Sequence, residues 1–249
     1  MAALAQWEQG TRMRQISRQN LYGFLNWAVQ RGHLKPIHSP PSTLPETLQP
    51  KRIGYPLSDA QILQLLDNLP IGVIHNRWRF AIQLCAVYGL RPEELRYLRI
   101  KDGANGAELW TIYQKSMGGI KGAKTEPSRL HPLLVRDADG SPINWKLQTR
   151  LQVGEILPPL NSEGNGSEAL SRYLRRRALW LSMLEDAKQQ GEQLTPYSFR
   201  HRYAKEMHAA NIPIDNISEA MGHTIEVLLK SYARFKPNAT ADLVAAVNT

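Results

Sequence analysis

Leu194-Thr-Pro-Tyr-Ser-Phe-Arg-His-Arg-Tyr203 brings two arginines, a histidine and two tyrosines into ten residues. Three other short runs carry the same kinds of side chain: Tyr88-Gly-Leu-Arg-Pro-Glu-Glu-Leu95, Met221-Gly-His-Thr224 and Lys230-Ser-Tyr-Ala233. The downstream segments read as helices over Pro196–Ala210, Ile214–Met221 and Thr224–Ser231. Upstream, Pro92 opens a helix as a first-turn proline, with Glu93 and Glu94 near its positive end. Polar, titratable residues therefore sit at helix starts and ends in several separate places.

Working outward, Asn76–Tyr88 reads as a mostly buried helix ending at Gly89. Ser58 is a fitting N-cap for Asp59–Asn68, whose apolar face is Ile62, Leu63, Leu65 and Leu66. Leu109-Trp-Thr-Ile-Tyr113 has β-type residues, and with Arg129–Leu133 it suggests a small sheet joined by a long loop or hairpin. Gly164–Gly166 precedes a long helical stretch from Glu168 to about Lys188. A short helix, Ala239–Val247, ends the sequence. Near the front, Met13, Ile16, Leu21, Phe24, Leu25, Ala28 and Val29 approximate helical spacing over 12–32. Four prolines in the ten residues from Pro36 then make an extended, semi-rigid linker. The fold class is mainly α with a small antiparallel β-sheet.

The charge balance is the distinctive bulk property. The 31 Lys and Arg outnumber 22 Asp and Glu, for a net +9. Such a surplus favours a polyanionic partner, because each cation that neutralises a phosphate releases condensed counterions. A soluble protein that merely happens to be basic is the alternative from charge alone. The single cysteine, Cys85, lies in an apolar run and reads as a buried, reduced thiol. No apolar stretch approaches the length of a membrane span, and no signal-peptide core is present, so a cytoplasmic protein is expected. No Gly-rich phosphate loop of the Walker type and no internal repeat is found.

The four runs together resemble the tyrosine recombinase (phage integrase) family. Its first box, Gly-Leu-Arg-x-x-Glu-Leu, is met by Gly89 to Leu95. Its second, His-x-x-Arg-His, is met by Tyr197 to His201 with Tyr in place of the first His. A Gly-His pair follows as Gly222-His223, 23 residues after Arg200, and Tyr232 stands nine residues beyond His223. The resemblance implies a tyrosine-recombinase catalytic domain (the DNA breaking-rejoining enzyme fold) over 55–237. Before it would come a truncated helical core-binding segment over 1–35 and a Pro-rich linker over 36–54. A tail helix over 238–249 would follow, docked on a neighbouring subunit or folded back on its own domain.

The implied activity is site-specific cleavage and rejoining of double-stranded DNA through a 3′-phosphotyrosyl link. Tyr232 is the expected nucleophile. Arg91 and Arg200, each able to hold two oxygens, would stabilise charge on a pentacoordinate phosphorus without a metal or other cofactor. His223 would bond a non-bridging oxygen or help move the phenol proton, and Tyr197 would donate one hydrogen bond but no charge. Glu94 and His201 are supporting residues; Glu94 sits one turn from Arg91 and would orient it, or is a solvated surface acid. The family's leaving-group acid is a hairpin lysine. Lys124, in Lys-Thr-Glu-Pro-Ser-Arg129, is preferred over Lys121 and Lys115. Arg172, Arg175, Arg176 and Arg177, with Lys121, would contact the DNA backbone, the plain reading of the arginines being a solvated helix face. On DNA a tetramer is implied, and a monomer or weak oligomer when free. A type IB topoisomerase-like relaxing enzyme and a non-catalytic DNA-binding regulator are the rival readings, and Tyr197 and the short front keep the second open.

Overall fold

The computed structural model describes residues 4–41, 53–104, 106–114 and 124–235. The chain divides into two compact units, Met1–Arg52 and Ile53–Thr249. The expected tail helix over 239–247, and Lys115 and Lys121, lie outside the described residues.

In the first unit, helix α1 (Arg12–Gln30) is capped by Thr11, whose hydroxyl accepts the Arg14 N–H at 3.4 Å. The Arg14 guanidinium donates to the Leu4 and Trp7 carbonyls at 2.8 and 3.0 Å, tying the preceding turn to the helix. Ala28 is buried, while Met13, Phe24 and Trp27 remain at least half exposed. Phe24 and Trp27 stack on each other at 6.1 Å.

The second unit opens with β1 (Ile53–Gly54) and α2 (Asp59–Asp67). Ser58 and Gln61 form a capping box at the start of α2: each side chain bonds the other's backbone N–H, at 3.2 and 2.9 Å. Helix α3 (Val73–Tyr88) starts three residues earlier than the apolar pattern predicts and runs through the core. Phe80, Ala81, Ile82, Leu84, Cys85 and Ala86 are fully buried on it. It ends at Gly89, in the left-handed region at φ 60°, where a Cβ would stand 2.6 Å from the Tyr203 ring. Backbone conformation and close packing both require glycine there.

The segment after Pro92 departs from the expected helix: Pro92–Tyr97 is a 3-10 turn, closed by the Glu94 N–H on the Arg91 carbonyl at 2.8 Å. Six residues of this tighter winding deliver the chain directly into β2 (Leu98–Gly103). With β3 (Gly106–Thr111) and β4 (Ser128–Arg129), β2 makes the small antiparallel sheet, in register Leu98↔Thr111 and Trp110↔Arg129. Helix α4 (Leu147–Gln152), too short to show a period, follows.

A second correction concerns the long helix expected from Glu168 to about Lys188. It is two helices, α5 (Gly166–Leu174) and α6 (Ala178–Gln189). Arg177 leaves the helical conformation at φ −108°, ψ 123°, and its guanidinium lies 4.7 Å over the Tyr173 ring. The buried residues Tyr173, Trp180 and Ala187 keep a seven-residue spacing across the break, so the apolar pattern does not reveal it. The remaining elements are β5 (Glu192–Gln193), parallel to β1, then α7 (Ser198–Ala209), α8 (Ile214–Ala220) and α9 (Ile225–Tyr232). Thr224 caps α9, and a 3-10 turn, Ala233–Phe235, follows it.

Helix α7 stands between two apolar clusters. Phe199 belongs to the large one built around α3, whereas Tyr203, Ala204 and Met207 join Ile217, Met221, Leu228 and Tyr232 in a smaller one. Among the described residues no helix is long and apolar enough to cross a membrane.

Candidate active site

Four segments distant in sequence converge where these clusters meet. The turn after Gly89 presents Arg91, whose backbone N–H and guanidinium both donate to Glu94, at 2.9 and 2.5 Å. Glu94 is only 3% exposed, so the reading of a solvated surface acid does not hold. Burial works against the Arg91 charge, but Glu94 and a hydrogen bond with Tyr197 outweigh it and hold the guanidinium pKa above its ordinary value.

Arg200 rises from the first turn of α7 and is 3% exposed. Its guanidinium donates to the Gly89 carbonyl at 2.7 Å and to the Met221 carbonyl, and meets His223 Nε2 at 3.2 Å. Glu94 lies 4.0 Å away, which places one buried carboxylate beside both arginines. The two cations are thus set in place by groups on two runs, Gly89 and Glu94 in one and Met221 and His223 in the other, before any ligand arrives.

Tyr232, the last residue of α9, is 1% exposed. Its ring lies 6.1 Å from His223 in a stacked arrangement and 5.5 Å from His201. Tyr197 lies beside the phenol, raising its pKa, and sits 5.2 Å edge-on to His201. Burial pushes the Tyr232 phenol well above the ordinary tyrosine range; Tyr197 adds to this, while Arg200 and Arg91 pull it down. The phenol is neutral at physiological pH, held next to the groups that favour its anion.

Lys124 is exposed, in the segment leading into β4, outside this hydrogen-bonded group. An ion pair from Arg129 to Glu108 at 2.8 Å fastens β4 to β3. The four consecutive-reading arginines do not share one face. Arg172 pairs with Glu168 at 2.5 Å in the open, Arg175 and Arg176 are exposed at the break, and Arg177 is stacked on Tyr173.

Several positioning residues have no sequence motif that announces them. Glu93 accepts the backbone N–H groups of Gly164 and Gly166 at 3.0 and 2.7 Å, capping α5 from the arginine turn. Arg202, two residues beyond Arg200, is 1% exposed and makes a fork to Asp59 at 2.7 and 3.0 Å. It also donates to the Leu133 and Leu134 carbonyls at 2.9 Å each. Tyr203 donates to the His131 carbonyl at 2.8 Å. Helix α7 therefore grips the extended segment 131–134 that follows β4. Among the described residues, no cluster of three or more His, Cys, Asp or Glu is arranged to hold a metal ion.

The phage integrase family model matches residues 56–238. Among solved structures, the chain is similar to a lambda integrase (75–356) dimer bound to a COC′ core site. Identity is 18% and the TM-score 0.55, over 91% of this chain and 74% of that one. It is also similar to XerH site-specific recombinase bound to difH substrate, at 12% identity and a TM-score of 0.51, over 94% of this chain and 63% of that one. At these identities the likeness is one of fold. No curated protein matches by sequence. With the family model spanning most of its length, the chain belongs to the phage integrase family, the tyrosine recombinases, a class of DNA strand-transferring enzymes.

Proposed function

We propose that this chain is a site-specific recombinase that cuts and rejoins duplex DNA with Tyr232 as nucleophile. The observation that carries the reading is the convergence of Arg91, Arg200, His223 and Tyr197 on one buried phenol. The integrase and recombinase structures it resembles include complexes with DNA, and the net charge of +9 suits such a partner.

In the proposed reaction, the Tyr232 hydroxyl oxygen attacks phosphorus and the bond to the 5′-oxygen breaks. The 3′-phosphate becomes esterified to tyrosine, and a 5′-hydroxyl departs after taking a proton from Lys124. Arg91 and Arg200 receive the non-bridging oxygens as charge builds on them. His223 bonds the same oxygens or accepts the phenol proton, and Tyr197 donates one hydrogen bond to them. A 5′-hydroxyl from a partner strand then reverses the step, and the energy retained in the ester makes ATP unnecessary. The first unit and the exposed Arg172, Arg175 and Arg176 would hold the DNA backbone, in a tetrameric assembly acting in the cytoplasm.

A nicked suicide duplex carrying the attachment site tests this. The wild-type chain gives a denaturant-resistant protein–DNA adduct, and Tyr232→Phe binds the duplex without forming one. An adduct from Tyr232→Phe moves the nucleophile elsewhere; binding without any adduct from wild type removes the catalytic reading.

A further inference from the structure

Helix α9 is thinly attached to its unit. Of its eight residues only Leu228 and Tyr232 are buried, and Ile225, Val227 and Leu229 are almost half exposed. So short a helix has little stability of its own, and what holds it comes from outside. Just past Tyr232 the chain is tied back. The Arg234 guanidinium pairs with the Glu192 carboxylate through one nitrogen and donates to the Gly54 carbonyl through another. The same guanidinium lies 4.5 Å over the Phe235 ring, which is itself 6.1 Å from the Tyr232 ring.

Both acceptors belong to the parallel ladder of β1 and β5, which pairs Ile53 with Glu192 and Gly54 with Gln193. The ladder reaches Tyr232 from a second side. A Cβ on Gly54 would fall 2.0 Å from His201 Nε2, so His201 rests directly on that glycine, with its ring 5.5 Å from Tyr232. Gly54 thus receives Arg234 at its carbonyl and His201 at its α-carbon.

We propose that Arg234 is a positioning residue: by clasping Gly54 and Glu192 it keeps Tyr232 in the active site of its own subunit, so that cleavage occurs in cis. The inference rests on the reading of Tyr232 as nucleophile. The clasp is a charge-assisted bond with Arg234 one-third exposed, so its hold depends on charge and weakens with salt. Releasing it leaves Leu228 and Tyr232 as the buried anchors of α9 among the described residues, and lets the helix be donated to a neighbour.

Trans-complementation on the suicide duplex tests the clasp. One chain, Tyr232→Phe, supplies an intact pocket without a nucleophile. The other, Arg91→Ala, supplies a nucleophile without a working pocket, and its binding to the duplex is checked by gel shift. Their mixture is expected to give no adduct. When Arg234→Ala is added to the Arg91→Ala chain, the mixture gives an adduct carried by that chain, and restoring a cation with Arg234→Lys suppresses it again. A mixture that stays silent with Arg234→Ala, or one that already reacts with Arg234 intact, overturns the proposal. An adduct from Tyr232→Phe alone refutes the nucleophile reading, and the clasp proposal falls with it.

Discussion

Two groups of arginines in this chain differ in nearly every physical respect. Arg91, Arg200 and Arg202 are wholly or largely buried, and each guanidinium is held by a carboxylate or by backbone carbonyls. Arg172, Arg175 and Arg176 are exposed, and the ion pair of Arg172 with Glu168 has both side chains more than half in solvent. Exposed pairs of this kind contribute about 0–1 kcal/mol. The first group is charge fixed in advance of its target, and the second is charge free to adjust to it. Even within α7 the tasks divide: Arg200 faces the Tyr232 pocket, while Arg202 turns its charge to Asp59 and the Leu133 and Leu134 carbonyls. The location of an arginine's acceptors, more than its place in the sequence, separates chemistry from scaffolding and from attraction.

The contrast is broken most severely at Arg200. Arg200→Ala lowers single-turnover adduct formation by about a thousandfold, the size of effect seen when one preorganised donor to a developing anion is lost, while duplex binding changes little. At Asp59 the effect falls on stability instead. Asp59→Ala leaves Arg202 buried without its carboxylate and costs about 3–5 kcal/mol, read as a fall in the urea midpoint. Replacing Arg172, Arg175 and Arg176 together by Ala weakens binding about tenfold near 0.15 M salt. The slope of log affinity against log salt falls by about 0.9 for each phosphate no longer neutralised, and the adduct rate at saturating duplex is unchanged. A slope that stays constant shows that these arginines face away from the DNA.

The smallest effect is one of pH. The Tyr203 phenol, fixed by burial and bonded to the His131 carbonyl, has its pKa pushed up to about 12 from an ordinary 10.0. A folded-state pKa above the unfolded one gives stability that is full below about pH 10 and is lost as pH rises toward 12. Tyr232 acts in the same direction. Urea midpoints therefore decline across this window, and Tyr203→Phe makes the decline shallower.

The chemistry-bearing runs are legible in the sequence because each is contiguous and because the last three, from Leu194 to Ala233, follow one another at short spacing. Capping at Ser58 and the end of α3 at Gly89 are legible for the same reason: the interactions that fix them are local. Asp59 with Arg202, and Gly54 with Arg234, are joined across 143 and 180 residues, and nothing beside either residue marks the partner. The break between α5 and α6 is hidden by a seven-residue spacing that survives it. The 3-10 winding after Pro92 escapes a helical reading because the proline and the two acids suit either helix.

Cys85 gives this chain an experimental convenience. It is the only cysteine, it is fully buried in α3, and burial raises its thiol pKa well above the ordinary value, so it presents no thiolate to a reagent. A cysteine introduced at an exposed site such as Lys188, whose side chain is 76% exposed, would carry a maleimide dye as a single label on the native fold. Fluorescence from such a dye can then follow assembly and strand exchange in real time without first removing the native sulfur.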